Sequence, residues 1–257
     1  MAALAALALT SPANTQEWAR KTLEKSPRHG EWVKVDSGGR PLHLFVVYPE
    51  VKKKAPAVVV VHEIFGLTDW ARETADALAA EGYIAVAPDL LSGAAPGGGK
   101  SADFPDVDAA RAAVSALDPA AVLRDLDAAA DYAKSLPAAD GRVSVAGFCW
   151  GGGQSFRFAA HRPDLRAAFV FYGPSAPDVA AIKAPVYGFY AENDARINAT
   201  LPDTGQAMKA AGKTFEPVTY PGGGHGFMRG GEDPEGRPGD KKARAQAWKR
   251  LKTLLKK

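Results

Sequence analysis

The chain has 257 residues, 46% hydrophobic and 24% charged, a balance that excludes a disordered chain and allows one large α/β domain. Its formal net charge is only +3, and cations and anions are interspersed outside the amphipathic tail Lys241–Lys257, so no nucleic-acid partner is expected. One cysteine rules out an intramolecular disulfide and a cysteine-cluster metal site, and no apolar run reaches the roughly 18–20 residues of a membrane-spanning helix.

Met1–Leu9 is almost wholly Ala and Leu and runs into Thr10-Ser11-Pro12-Ala13, without the positive start of a secretory signal. It reads as the remnant of a shortened signal peptide or as an Ala-rich first helix. We take the remnant as the expectation, which places the protein in the periplasm or outside the cell; the helix reading leaves it cytoplasmic. Residues 1–26 are accordingly set apart as an extension, with one domain over 27–257.

From Glu31 onward, short β-branched runs alternate with helical patterns. Trp32–Asp36 and Leu42–Tyr48, joined by the turn Ser37-Gly38-Gly39-Arg40, read as an antiparallel hairpin. Pro56–His62 is continuously apolar, as suits a strand covered on both faces. Leu67–Glu81 has helical spacing and closes at Gly82; Tyr83–Ala87 is the next strand. Leu91–Pro105 is a Gly/Pro-rich loop with no element of its own, and Ala120–Leu136 is an amphipathic helix. Strand Arg142–Ala146, helix Gly151–Ala160, and strands Ala167–Phe171 and Pro185–Tyr190 follow. Helix Asp203–Ala211, strand Phe215–Tyr220 and a last helix from about Asp240 complete the series. This alternation predicts an α/β fold, a mostly parallel sheet flanked by helices on both faces.

The sharpest local pattern is Gly147-Phe148-Cys149-Trp150-Gly151-Gly152, between a predicted strand and a predicted helix. It is the G-x-S-x-G nucleophile elbow with cysteine for serine, and the glycines leave room for the strand and helix around a strained turn. The helix N-terminus beneath Cys149 is expected to lower the thiol pKa and to stabilise an oxyanion. A buried structural cysteine is the bland alternative. Two further strand ends weigh against it: Asp194 follows Pro185–Tyr190, and His225, within Gly222–Phe227, follows Phe215–Tyr220. Ligands gather at the carboxyl ends of strands in open α/β sheets, and Cys149, Asp194, His225 run in the nucleophile–acid–base order of the α/β-hydrolase fold.

Together with His62-Glu63-Ile64-Phe65-Gly66, Ala87-Pro88-Asp89-Leu90, Asn193-Asp194 and Gly224-His225-Gly226-Phe227, these segments resemble the dienelactone hydrolase (carboxymethylenebutenolidase) family from Glu31 to the C-terminus. The resemblance implies an α/β-hydrolase fold without a large lid domain and a small-molecule ester or lactone substrate. It also implies no metal or organic cofactor, no membrane partner and a monomer. It implies that Glu63 sits beside the nucleophile and helps generate the thiolate when substrate binds, and that the backbone N–H groups of Ile64 and Trp150 form the oxyanion hole. Arg229 stands where the family has an arginine for the substrate carboxylate. The family's second such arginine follows Pro-Asp-Leu, where this chain has Leu91-Ser92-Gly93. A general short-chain or aryl esterase with no carboxylate recognition is therefore a second reading, and a non-catalytic binding member of the fold a third.

Other motifs carry less. Ala94–Ser101 (AAPGGGKS) satisfies a relaxed P-loop pattern, but acids and a proline follow it where a phosphate-binding helix is needed. His62-Glu63 lacks the second histidine of a zinc-protease helix. His29, His43 and His161 read as structural or exposed, and Trp70, Trp150, Phe171 and Tyr172 as core or pocket lining.

Overall fold

The computed structural model describes residues 16–257, so the candidate signal remnant and its cleavage point lie outside the described residues. Eight strands form one sheet in the order β1-β2-β4-β3-β5-β6-β7-β8. The hairpin β1 (Gly30–Ser37) and β2 (Arg40–Val47) forms the antiparallel edge, with β2 antiparallel to β4 (Ile84–Asp89). From β4 through β3 (Ala55–Val61), β5 (Ala139–Phe148), β6 (Ala168–Phe171), β7 (Val186–Asn193) and β8 (Phe215–Gly224), every pairing is parallel. The α/β class expected from the sequence is the observed one.

The valine run of β3 explains its central place. Val58, Val59, Val60 and Val61 are all fully buried, and alternate residues feed opposite cores. Val58 and Val60 join a core closed by α2 (Asp69–Ala80) and α9 (Pro238–Leu255). Val59 and Val61 join the other, closed by α4 (Pro119–Ser135), α5 (Trp150–His161) and Met208 of α7 (Leu201–Ala210). A period of two with both faces apolar is what a strand covered on both sides requires.

Four findings depart from the sequence expectations. The extension contributes α1 (Glu17–Glu24), whose Ala19 is fully buried in the α2/α9 core. Gln16 holds the start of α2, accepting from the Trp70 N–H at 2.8 Å and donating to Asp69 Oδ2 at 3.2 Å. The 91–105 loop contains two short 3-10 turns, Pro96–Gly98 and Ser101–Asp103. It leads into a further helix, α3 (Val107–Ser115), capped by Asp106 accepting from the Ala109 N–H at 2.7 Å. Two single-turn helices, α6 (Ala195–Asn198) and α8 (Phe227–Gly230), directly follow Asp194 and Gly226. Strands β5 and β8 extend to Phe148 and Gly224, so the sheet runs directly into Cys149 and His225.

Candidate active site

Cys149 sits between β5 and α5 with φ 56° and ψ −117°, a conformation that costs a non-glycine residue on the order of 1–3 kcal/mol. Its N–H donates to the Phe171 carbonyl at 3.0 Å, which helps hold the turn. The flanking glycines are required by close approach. A Cβ at Gly147 would overlap the Gly151 carbonyl, and one at Gly151 would overlap the carbonyls of Val61 and His62.

The three strand-end residues meet. His225 Nε2 lies 3.0 Å from Cys149 Sγ, and His225 Nδ1 lies 2.6 Å from Asp194 Oδ2. A carboxylate only accepts, so Nδ1 carries the proton and Nε2 faces the sulfur as an acceptor. Asp194 is buried and caps α6, Oδ1 accepting from the Ile197 N–H at 3.4 Å. The Tyr172 ring stands edge-on to the imidazole, with centroids 5.2 Å apart.

The electrostatics correct one expectation. The Cys149 thiol is pushed up to about 11, not down. Burial is the largest cause and the Glu63 charge the second; the N–H groups of Trp150 and Ile64 and the charge of Arg196 pull the other way without prevailing. A helix N-terminus alone does not make a thiolate when its sulfur is desolvated beside a carboxylate. At neutral pH the resting site holds a thiol.

Glu63 is 3% exposed, a buried carboxylate whose charge acts on Cys149. Its Oε2 accepts from Arg229 Nε at 2.7 Å, and its Oε1 is 3.5 Å from the Tyr172 hydroxyl. Arg229 also lies over the Phe65 ring, 5.2 Å from its centroid. The arginine marked for a substrate carboxylate is thus already paired with the protein's own. The backbone N–H groups of Ile64 and Trp150 both pull the Cys149 thiol down, as donors facing a negative charge on the nucleophile do.

All seven sequence-derived candidates therefore gather around Cys149. Sequence reasoning gave too little weight to Tyr172, which is fully buried with φ 39° and touches both His225 and Glu63. The signal was available, because Tyr172 directly follows β6, one more carboxyl end. Arg196, exposed on α6 two residues after Asp194, was missed; no spacing rule marks it. Trp70 and Phe171 are core residues, each at most 1% exposed.

The loop resembling a P-loop has its donors occupied. The Ser101 N–H and hydroxyl both donate to buried Asp89, at 3.1 and 2.6 Å, and the Lys100 N–H donates to Asp103 at 2.8 Å. Phosphate would meet carboxylates. Ser101 Oγ also accepts from the Leu67 N–H at 2.9 Å, pinning the loop to the segment after Glu63. Leu91, Phe104, Ala110 and Val114 form a small apolar cluster that packs against Ile64 and Trp150.

A strained strand-to-helix turn carrying a thiol, with a histidine and a buried aspartate on the next strand ends of a mostly parallel sheet, defines an α/β-hydrolase. The family model of the dienelactone hydrolase family matches residues 42–257, and the chain belongs to that family. It is 35% identical over 233 residues to a Salmonella typhi protein named "Putative carboxymethylenebutenolidase", covering 84% of this chain and 83% of that one. A Methylorubrum extorquens protein of the same name is 38% identical over 211 residues, 76% of this chain and 70% of that one. A crystal structure titled as a "Putative Dienelactone Hydrolase" from Klebsiella pneumoniae superposes with a TM-score of 0.77 at 29% identity, covering 90% of this chain and 99% of the other.

Proposed function

We propose that the protein hydrolyses a carboxylic ester or lactone, dienelactone-like, with Cys149 as nucleophile, His225 as proton carrier and Asp194 as its orienting acid. The observation that carries this reading is the contact chain Asp194 Oδ2, His225, Cys149 Sγ, with spacings of 2.6 and 3.0 Å. His225 Nε2 takes the thiol proton as Sγ attacks the carbonyl carbon. The oxyanion is held by the N–H groups of Ile64 and Trp150. As the C–O bond breaks, Nε2–H protonates the leaving alkoxide and leaves a thioester on Cys149. Water then attacks that carbonyl while Nε2 removes its proton, and the acid product departs with Cys149 restored as thiol.

Glu63 opposes the thiolate at rest. A substrate carboxylate that engages Arg229 would break the 2.7 Å pair and release Glu63 to swing away from Cys149, removing the opposing charge, so substrate binding itself would help generate the nucleophile. Amides, with poorer leaving groups, are not expected substrates. Cys149→Ala should abolish turnover while the circular dichroism spectrum stays native; wild-type activity in that variant would overturn the assignment.

The second reading, a general esterase, is favoured by one specific observation: Arg229 is neutralised by Glu63, and Leu91-Ser92-Gly93 supplies no second arginine. Comparing kcat/KM on a carboxylate-bearing dienelactone with that on a neutral short-chain p-nitrophenyl ester separates the two. Preference for the dienelactone means the carboxylate displaces Glu63 from Arg229. Preference for the neutral ester means the ion pair persists and acid recognition is absent.

A further inference from the structure

His62 lies between the two oxyanion donors and has no part in the mechanism above. It directly follows β3, is fully buried, and its Nδ1 is 2.7 Å from the Glu63 carbonyl oxygen. A carbonyl only accepts, so Nδ1 carries the proton. The ring stacks on Trp150, with centroids 5.6 Å apart and planes 15° from parallel. Its own carbonyl lies against Gly151, so ring and backbone are held from both sides.

The peptide joining Glu63 to Ile64 is planar, with C=O and N–H pointing oppositely. A donor gripping the Glu63 oxygen therefore fixes the direction of the Ile64 N–H, one of the two backbone donors that favour negative charge on Cys149. A hydrogen bond to the carbonyl also polarises the amide and strengthens its N–H as a donor. We propose that His62 is a positioning residue for the oxyanion site, aiming and polarising the Ile64 N–H through the Glu63 carbonyl and bracing the Trp150 side by stacking. This inference rests on the reading that Cys149 attacks a carbonyl.

Packing alone does not account for the ring. Nε2 is buried and has no hydrogen-bond partner among the described residues, a destabilising feature that an apolar side chain of similar size would avoid. Burial holds the imidazole down to about 4, so it stays neutral and its tautomer stays fixed through the working pH range. His62 therefore supplies a permanent Nδ1–H without titrating, which is what a fixed donor behind the amide requires.

The test compares His62→Leu, which removes the donor, with His62→Asn, whose side-chain N–H occupies nearly the place of Nδ1–H. Ester turnover, the affinity of a trifluoromethyl ketone that forms an oxyanion on Cys149, and alkylation by iodoacetamide, which forms none, are measured on each. In His62→Leu, kcat should fall roughly tenfold, less than the 10²–10³-fold that deleting an oxyanion donor costs, with KM unchanged. Ketone affinity should fall by the same factor as kcat/KM, the alkylation rate should hold, and His62→Asn should recover most of the loss. Unchanged kcat in folded His62→Leu, a parallel loss of alkylation, or no recovery in His62→Asn would each overturn the proposal. If His62→Leu does not fold, the wild-type Nδ1–H resonance decides: it should move downfield when the ketone adduct forms, and a stationary signal rejects the inference. An active Cys149→Ala would instead remove the underlying reading; a dead Cys149→Ala beside a fully active His62→Leu removes only this one.

Discussion

The charge state of Cys149 is the residue-scale feature that most shapes behaviour. With the thiol pushed up to about 11, the fraction ionised at neutral pH is small, and alkylation without substrate should climb with pH towards that value. A preformed thiolate–imidazolium pair would give a profile flat above about pH 6, and iodoacetamide kinetics distinguish the two. Glu63→Gln removes the second-largest cause, so its alkylation profile should shift to lower pH while ester turnover falls. Unchanged alkylation in Glu63→Gln would show that burial alone sets the thiol. The identities of Cys149, Asp194 and His225 were legible in the sequence because each follows a recognisable strand. The thiol's direction of shift was not, because it depends on Glu63 and on burial, neither of which the motif around Cys149 encodes.

At the scale of elements, the elbow and the 91–105 loop respond to substitution in different ways. Gly147→Ala sets a methyl into the Gly151 carbonyl, where backbone must move, so loss of the folded protein is expected, read as a collapse in Tm or soluble yield. Ser101→Ala removes the hydroxyl between Asp89 and the Leu67 N–H, at a cost of about 1–3 kcal/mol for the buried groups left unpaired. Because that hydroxyl ties the loop to the segment carrying Ile64, limited proteolysis within residues 91–105 should quicken and KM should rise. An unchanged cleavage rate would mean that the Leu91/Phe104 cluster holds the loop by itself. The strands were readable because their valine and alternating runs are covered on both sides. Helix α3 was not anticipated: its Asp106 cap and the 3/4 spacing of Val107, Ala110 and Val114 are present, but only Ala110 and Val114 are buried, and the Gly/Pro-rich stretch before it masked the pattern.

Across the whole molecule, a buried carboxyl cluster joins distant parts of the chain. Glu73 on α2 is pushed up to about 8, first by burial and then by the charge of Glu232, with Arg244 of α9 opposing and Asp76 adding to the rise. Glu232 in turn accepts from the Trp70 indole at 3.1 Å and pairs with Arg244. The folded protein keeps a proton on Glu73 that the unfolded chain releases near 4.5, so this group's contribution is complete below that value and is lost as pH rises through about 8. Glu73→Gln should therefore raise Tm relative to wild type more in alkaline than in mildly acidic buffer; a shift independent of pH would refute the linkage. Helix α1 belongs to the same assembly, since Ser26 and Arg28 behind it bind Asp76 at 2.6 and 2.5 Å. No motif in the first 26 residues signalled that docking, because Gln16 and Ala19 act through partners some fifty residues away.

A thiol that stays protonated until a substrate arrives also has an oxidative life of its own. Peroxide attacks thiolates, so the idle protein should resist conversion of its only cysteine to sulfenic acid, whereas a carboxylate that engages Arg229 without acylating Cys149 would leave the vulnerable form exposed. Inactivation by hydrogen peroxide should then be accelerated by a non-hydrolysable carboxylate analogue of the substrate, reversing the protection that bound ligands ordinarily confer. The same buried charge that delays the nucleophile would serve as its shield at rest.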